Sequence, residues 1–300
     1  MASSRRTGTN ENISTFGAGG FGRDYTDLST WEAATDNNLV SLTQTEVLEC
    51  YDDATSFNLK IDISGATTNS SYFRLIRPAG TIGTGSWQGN DGTPNNGVFF
   101  NITIAGDSWR LDEPYATVQD MIWKVVMTDS SPRSLFDIQT GPAYCIGCIV
   151  LECDNNDNII RAAFEIQDDD VYCINCLALN NTAKGFDVGV SNNCYIYNCN
   201  AIGNTDIGFW EDSGTLNIKN CLGDGNSTDF DGGTGNNNAS GDATAPGTSN
   251  RINQTFTFVN TGNDDYHLDS SDTGAHTFGA DLSADGIYAF DDDIDGETRS

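Results

Sequence analysis

The chain has 300 residues, with 14 Lys or Arg against 43 Asp or Glu, a formal net charge of −29 and a pI near 4.1. That balance argues against binding the phosphate backbone of nucleic acids, which needs a basic footprint, and against an unaided grip on an anionic membrane or acidic polysaccharide. Hydrophobic residues make up 37%, enough for a lean core but with no stretch near the ~20 apolar residues of a membrane span.

In chain order, residues 1–22 are mostly Gly, Ser, Thr and Asn and are expected to form a flexible arm. Arg5 and Arg6 are followed by no apolar run, so the start does not have the pattern of a secretory leader. The expectation is synthesis in the cytoplasm, with release by lysis, by another route, or after loss of a leader. Ser29 or Thr30 can N-cap a short helix carrying Trp31 and Ala34 on one side, a cap for the end of a larger β structure. Short strands are expected over 46–50, 59–63, 72–76 and 98–104, with a Gly, Thr and Asn loop bearing Trp87 between Pro78 and Asn96. A less regular coil follows, with Val118, Met121 and Trp123, closed by Leu135 and Phe136.

From Tyr144 to Phe230 one unit is written four times. Aligned on Cys148, Cys176, Cys199 and Cys221, the copies are spaced by 28, 23 and 22 residues. Three positions earlier stand Cys145, Cys173, Ile196 and Ile218, and five earlier Ala143, Val171, Cys194 and Leu216. One earlier are Gly147, Asn175, Asn198 and Asn220, and five later Cys153, Asn181, Asn204 and Asn226. Each copy then has a phenylalanine: Phe164, Phe186, Phe209, Phe230. Met121 lies 27 before Cys148, which makes its coil the first copy. Such periodicity predicts a solenoid. Residues 231–250, rich in Gly, Asn and Ser, read as a loop, and residues 251–300 as an acidic closing segment.

The unit in Ile174-Asn175-Cys176, Asn181 and Gly185-Phe186, repeated in Tyr197-Asn198-Cys199, Asn204 and Gly208-Phe209, resembles the coil of right-handed parallel β-helix proteins of the pectin-lyase-like superfamily. The entry from Gly22 to Trp31 is similar to that superfamily's usual start. The tail with Asp265-Tyr266-His267-Leu268, Gly279-Ala280-Asp281-Leu282 and Asp293 through Arg299 resembles a closing segment of bacterial and phage β-helix proteins. The resemblance implies an all-β, right-handed parallel β-helix over residues 23–230 with an N-terminal cap. It does not choose an activity, because the superfamily includes lyases, glycosidases, phage tail proteins and inert scaffolds.

Nine cysteines, with Cys145-x-x-Cys148 and Cys173-x-x-Cys176, invite a zinc reading. Register argues against it: seven of them fall in columns otherwise filled by Ile, Val, Leu and Ala, where Cys acts as a small hydrophobe. Strands stack about 4.8 Å apart, which leaves disulfides between coils open, but a reduced core is expected. Gly147, Asn175, Asn198 and Asn220 suit a left-handed corner, and Asn181, Asn204 and Asn226 an amide ladder at a second turn.

Two outward surfaces remain. Tyr144, Tyr172, Tyr195 and Tyr197 make an aromatic stripe that the chain's own loop or tail, a second subunit or a glycan could cover. Glu165, Asp187 and Trp210 follow the phenylalanine column. Carboxylates one coil apart would lie near the ~5 Å of a retaining glycosidase pair, and two coils apart near the ~9 Å of an inverting pair. A lyase is disfavoured because Arg161, Lys184 and Lys219 share no column. Asp291, Asp293 and Asp295 match the opening of an EF-hand loop whose twelfth position falls beyond residue 300, leaving a partial calcium site as the one cofactor to test.

The functional expectation is a non-catalytic structural or adhesive protein, a phage virion component or surface protein, acting in a homo-oligomer or larger virion or surface assembly and located in the virion or outside the cell. The alternatives are a glycan-active enzyme using Glu165 and Asp187, or a polysaccharide-binding module using Tyr172, Tyr195, Tyr197 and Trp210.

Overall fold

The structure is a computed structural model that describes residues 3–82, 84–93, 96–104, 109–127, 134–153 and 161–298. Met1 and Ala2 of the expected arm, Arg299 of the tail, and parts of the Trp87 loop lie outside it. The chain winds as a right-handed parallel β-helix with three strand faces per coil. On the first face, Glu11–Phe16, Thr45–Cys50, Arg74–Pro78, Thr117–Gln119, Ala143–Ile146 and Val171–Ile174 pair in parallel, each on the coil before. The second face runs from Phe99–Ile104 to Ala239–Ser240 as a seven-stranded sheet. The third passes from Ile61–Ser64 through Trp109–Asp112, Phe136–Ile138 and Ala162–Ile166. Two long strands, Lys184–Tyr197 and Ile207–Lys219, turn the corner between the third face and the first.

The register of the repeat is the one read from sequence. Ala143 pairs with Val171 and Cys145 with Cys173; in the next coil these meet Cys194 and Ile196, and then Leu216 and Ile218. The corner residues Gly147, Asn175, Asn198 and Asn220 all have φ between 55° and 62°, the left-handed region that Gly and Asn adopt most readily. The phenylalanines stack inward at 4.8 to 5.0 Å between centroids from Phe164 to Phe230. Nearer the N-terminal end the core changes to Phe100, Trp109 and Trp123, packed edge to face or stacked. All nine cysteines are buried free thiols. Burial pushes the Cys153 thiol up to about 12, so at that residue the thiolate is suppressed.

The second asparagine column is a continuous amide ladder. Asn181 Nδ2 donates to Asn204 Oδ1 at 2.8 Å, and Asn204 Nδ2 to Asn226 Oδ1 at 2.9 Å. Each amide also donates to a carbonyl of the preceding coil, at Val150, Ala178 and Ala201. Asn181 and Asn204 are buried, where an unpaired amide would be costly. Cys153 holds the first place in the column, and its N–H donates to Asn181 Oδ1.

Three expectations are corrected. The segment expected to be a flexible arm contains the strand Glu11–Phe16, paired over its length with Thr45–Cys50. Asp27, rather than Ser29 or Thr30, caps the helix Leu28–Thr35, accepting from Ser29 N and Thr30 N; the helix buries Leu28, Trp31 and Thr35, and Ala34 is exposed. The segment read as a loop from 231 to 250 contains Thr234–Asn236 and Ala239–Ser240, which continue the first and second faces by another coil. Its small residues fit because this coil is thin: a Cβ at Gly235 would lie 1.8 Å from the Ile218 carbonyl.

Candidate functional site

The alternation of the third face turns Phe164 and Phe186 inward and Glu165 and Asp187 away from the core. Register places Glu165 beside Asp187, Asp187 beside Trp210, and Asp137 on the other side of Glu165. Sequence reading missed Asp137, which precedes the aligned copies.

These carboxylates are nevertheless withdrawn from solvent: Glu165 is 6% and Asp187 2% exposed. Each has a basic partner from its own coil, Arg161 Nη1 at 2.6 Å from Glu165 and Lys184 Nζ at 3.3 Å from Asp187. Ser134 Oγ also donates to Glu165, and Gln139 and Gln167 donate to Asp137 at 2.6 and 2.9 Å. Burial pushes the Asp187 carboxyl up, against the pull of Lys184. The same ammonium sits 3.5 Å from the centroid of Trp210, taking the ring face that a sugar would stack on. The column therefore places two carboxylates in neighbouring coils, with their charge and the platform engaged by the chain itself.

The tyrosine stripe forms as expected and is then roofed. Tyr144, Tyr172 and Tyr195 stack at 4.8 and 4.9 Å with nearly parallel rings. Leu282 and Phe290 of the tail pack on Ile146, Ile174 and Tyr197, with Tyr288 against the stack. Arg6 places its guanidinium 3.9 Å from the centroid of Tyr144. Tyr197 is 1% exposed, which removes it from any external contact, while Tyr144, Tyr172 and Tyr195 are half-buried. Of the three covers open to sequence reading, the tail is the one that meets these rings.

The two ends of the chain hold this roof down together. Ser4 N donates to Asp292 Oδ1 at 2.7 Å, and Tyr288 Oη to Ser4 O at 2.7 Å. Arg5 reaches Asp120 in the wall and Asp292 in the tail. Burial pushes the Asp120 carboxyl up to about 6, with Arg5 opposing the shift. His267 ties the tail a second time, with Nδ1 2.6 Å from Asp265 Oδ1 and Nε2 3.1 Å from Asp295 Oδ2. The bond to Asp295, then that to Asp265, raises this imidazole to about 9 against the opposing effect of burial, so it is a cation at neutral pH.

These bonds redefine the tail's acidic motif. Asp295 holds His267, and Asp293 Oδ1 accepts from the N–H groups of Asp295 and Glu297, closing a tight turn. Among the described residues no group of three His, Cys, Asp or Glu side chains is arranged to hold a metal ion. Of the three aspartates expected to open a partial calcium site, Asp293 closes this turn and Asp295 meets His267, while Asp291 borders the cavity beside them. Between the tail and the asparagine corner lies a cavity of about 630 Å³, bordered by Asn198, Asn200, Leu222, Phe278 and Asp291.

Sequence reading had a signal for Asp120: placing Met121 in the Cys148 column puts Asp120 at the corner, and its φ is 56°. It had none for Arg5 or Asp292, which lie outside the repeat. Comparison with protein-family models, with curated proteins and with solved structures returns no match. Among the described residues no helix is long and apolar enough to cross a membrane.

Proposed function

We propose that this chain is a non-catalytic structural or adhesive β-helix, a component of a larger assembly in a virion of decoration, fibre or tail type, or on a cell surface. One observation carries the reading: both surfaces that the sequence offers for a glycan are contacted by the chain itself. Glu165 and Asp187 are buried in ion pairs, and the tail packs on the tyrosine stripe, burying Tyr197 and half-burying Tyr144, Tyr172 and Tyr195. A general acid must reach the leaving oxygen and a nucleophile the anomeric carbon, so carboxylates held this way favour rigidity over turnover. The acidic surface suits a protein that must stay soluble at high local concentration. The likeness to the pectin-lyase-like superfamily extends from the coil pattern and carries no activity of its own.

The competing reading is a glycoside hydrolase, favoured by the register of Glu165 beside Asp187 and by the raised Asp187 carboxyl. Reducing-end release from a panel of neutral and acidic polysaccharides separates the two. The scaffold reading expects none from the wild-type chain. Turnover that is lost in both Glu165→Gln and Asp187→Asn would overturn it. Light scattering gives the complementary measurement, with an oligomer expected for an assembly component.

A further inference from the structure

We propose that the cavity between the asparagine corner and the tail is a docking groove for an extended, arginine-bearing peptide segment of a partner protein. The inference goes beyond the scaffold reading and stands whether or not the third face is catalytic.

The corner is a column of residues in left-handed backbone, Asp120, Gly147, Asn175, Asn198, Asn220 and Asn237, one per coil and so about 4.8 Å apart. The chain uses this column to hold peptide backbone. Asn220 takes both polar groups of one residue, accepting from Ala280 N at 2.8 Å and donating to Ala280 O at 2.9 Å. Asn237 donates to Phe278 O at 2.9 Å. Asn175 donates to Ser4 Oγ at 3.2 Å and to Asp292 O at 3.4 Å. These rungs are engaged by the chain's own Ser4, Phe278, Ala280 and Asp292, and they show how the corner holds an extended segment.

One end of the groove already contains such a segment. Ser3, Ser4 and Arg5 lie between the column and the tail, with Arg5 donating to Asp120, Asp292 and the Ile294 carbonyl. The cavity continues from this seat, since Asn175, Asp293 and Ile294 border both. Among the described residues its lining has Asp281, Asp291, Asp293 and Asp295 and no Lys or Arg; of its two histidines, His276 and the cationic His267, the latter is tied to Asp265 and Asp295. Asp291 and Asn200 line the cavity, and among the described residues neither side chain makes a hydrogen bond or ion pair. A volume of about 630 Å³ lies within the usual ~300–1,000 Å³ of ligand sites. Arginine is the side chain whose planar fork matches carboxylate and carbonyl acceptors together, and the seat next door shows that pairing in this groove.

The test is fluorescence polarisation with a labelled Gly-Ser-Arg-Ser-Gly peptide on the full chain. Its controls are the same peptide with citrulline for arginine, which keeps the shape and removes the charge, and a labelled neutral maltohexaose. The arginine peptide is expected to bind about tenfold tighter than the citrulline peptide and to weaken between about 0.05 and about 0.3 M salt, as screening requires. Asp291→Asn should weaken it about fivefold, and Asn200→Trp, which fills the groove, should abolish binding with the β-sheet circular dichroism unchanged. If Asn200→Trp does not fold, Asp291→Asn decides. No binding of the arginine peptide, equal binding of the citrulline peptide, wild-type affinity in the folded variants, or binding of the oligosaccharide in its place would each overturn the proposal.

Discussion

Arg5 and Asp120, separated by 115 positions in sequence, meet as a two-pronged pair, with Nε and Nη2 donating to the two carboxylate oxygens at 2.9 and 2.8 Å. The pair fixes an end of the chain against the middle of the solenoid. Asp120 is 1% exposed, so its charge depends on that guanidinium.

Removing the cation alone should therefore cost more than removing the pair. Arg5→Ala leaves a buried carboxylate without its partner and should destabilise the chain by about 3–5 kcal/mol. Arg5→Ala with Asp120→Asn should recover a large part of this loss. Urea denaturation of the two variants measures it, and a cost for Arg5→Ala below about 1 kcal/mol would show that the clasp is only a surface contact.

His267 gives the stability a pH dependence of known sign. Its folded-state pKa is raised from 6.5 to about 9. The stabilisation is thus fully present below pH 6.5 and lost as the pH rises through about 9. Because the side chain is 32% exposed, screening reduces the effect to about 1 kcal/mol. Melting temperatures from pH 6 to 10 should fall more steeply for the wild type than for His267→Gln, and parallel curves would remove the clamp from the account.

The amide ladder should fail as a unit. Asn204 donates to Asn226 and Ala178 and accepts from the backbone and side chain of Asn181. Asn204→Leu strands these partners in the core, each costing about 1–3 kcal/mol, and should destabilise more than Asn226→Leu at the ladder's end. Equilibrium unfolding of the two variants ranks them, and the reverse order would contradict the ladder.

The thiols should behave as core atoms. In the folded chain none of the nine should react with an aromatic disulfide reagent within minutes, and all nine should react in denaturant. Cys173→Val, which keeps an apolar group in a column shared with Ile196, should change stability by less than about 1.5 kcal/mol. Rapid reaction in the native state would mean that the column opens.

What sequence disclosed was whatever repeats. Cys145 over Cys173, Phe186 over Phe209 and Asn181 over Asn204 are read directly because one register error would turn every side chain to the wrong face. The candidate site was legible only in its register. Alternation says that Glu165 turns away from the core, but not that Arg161 and Ser134 meet it there. The contacts of Arg5, His267 and Asp292 join segments with no shared period, so no pattern announces them. The segment from 231 to 250 misled for the opposite reason: its glycines signal loops in most contexts, whereas here they permit the close approach of a thin final coil.

The Ser4–Asp292 hydrogen bond spans 288 positions, and that has a mechanical consequence. Tension that pulls Ser4 and Asp292 apart is carried first by this bond and the Arg5–Asp292 pair. The solenoid is thereby a closed ring under load, and its terminal coils cannot be peeled one at a time until the clasp has parted.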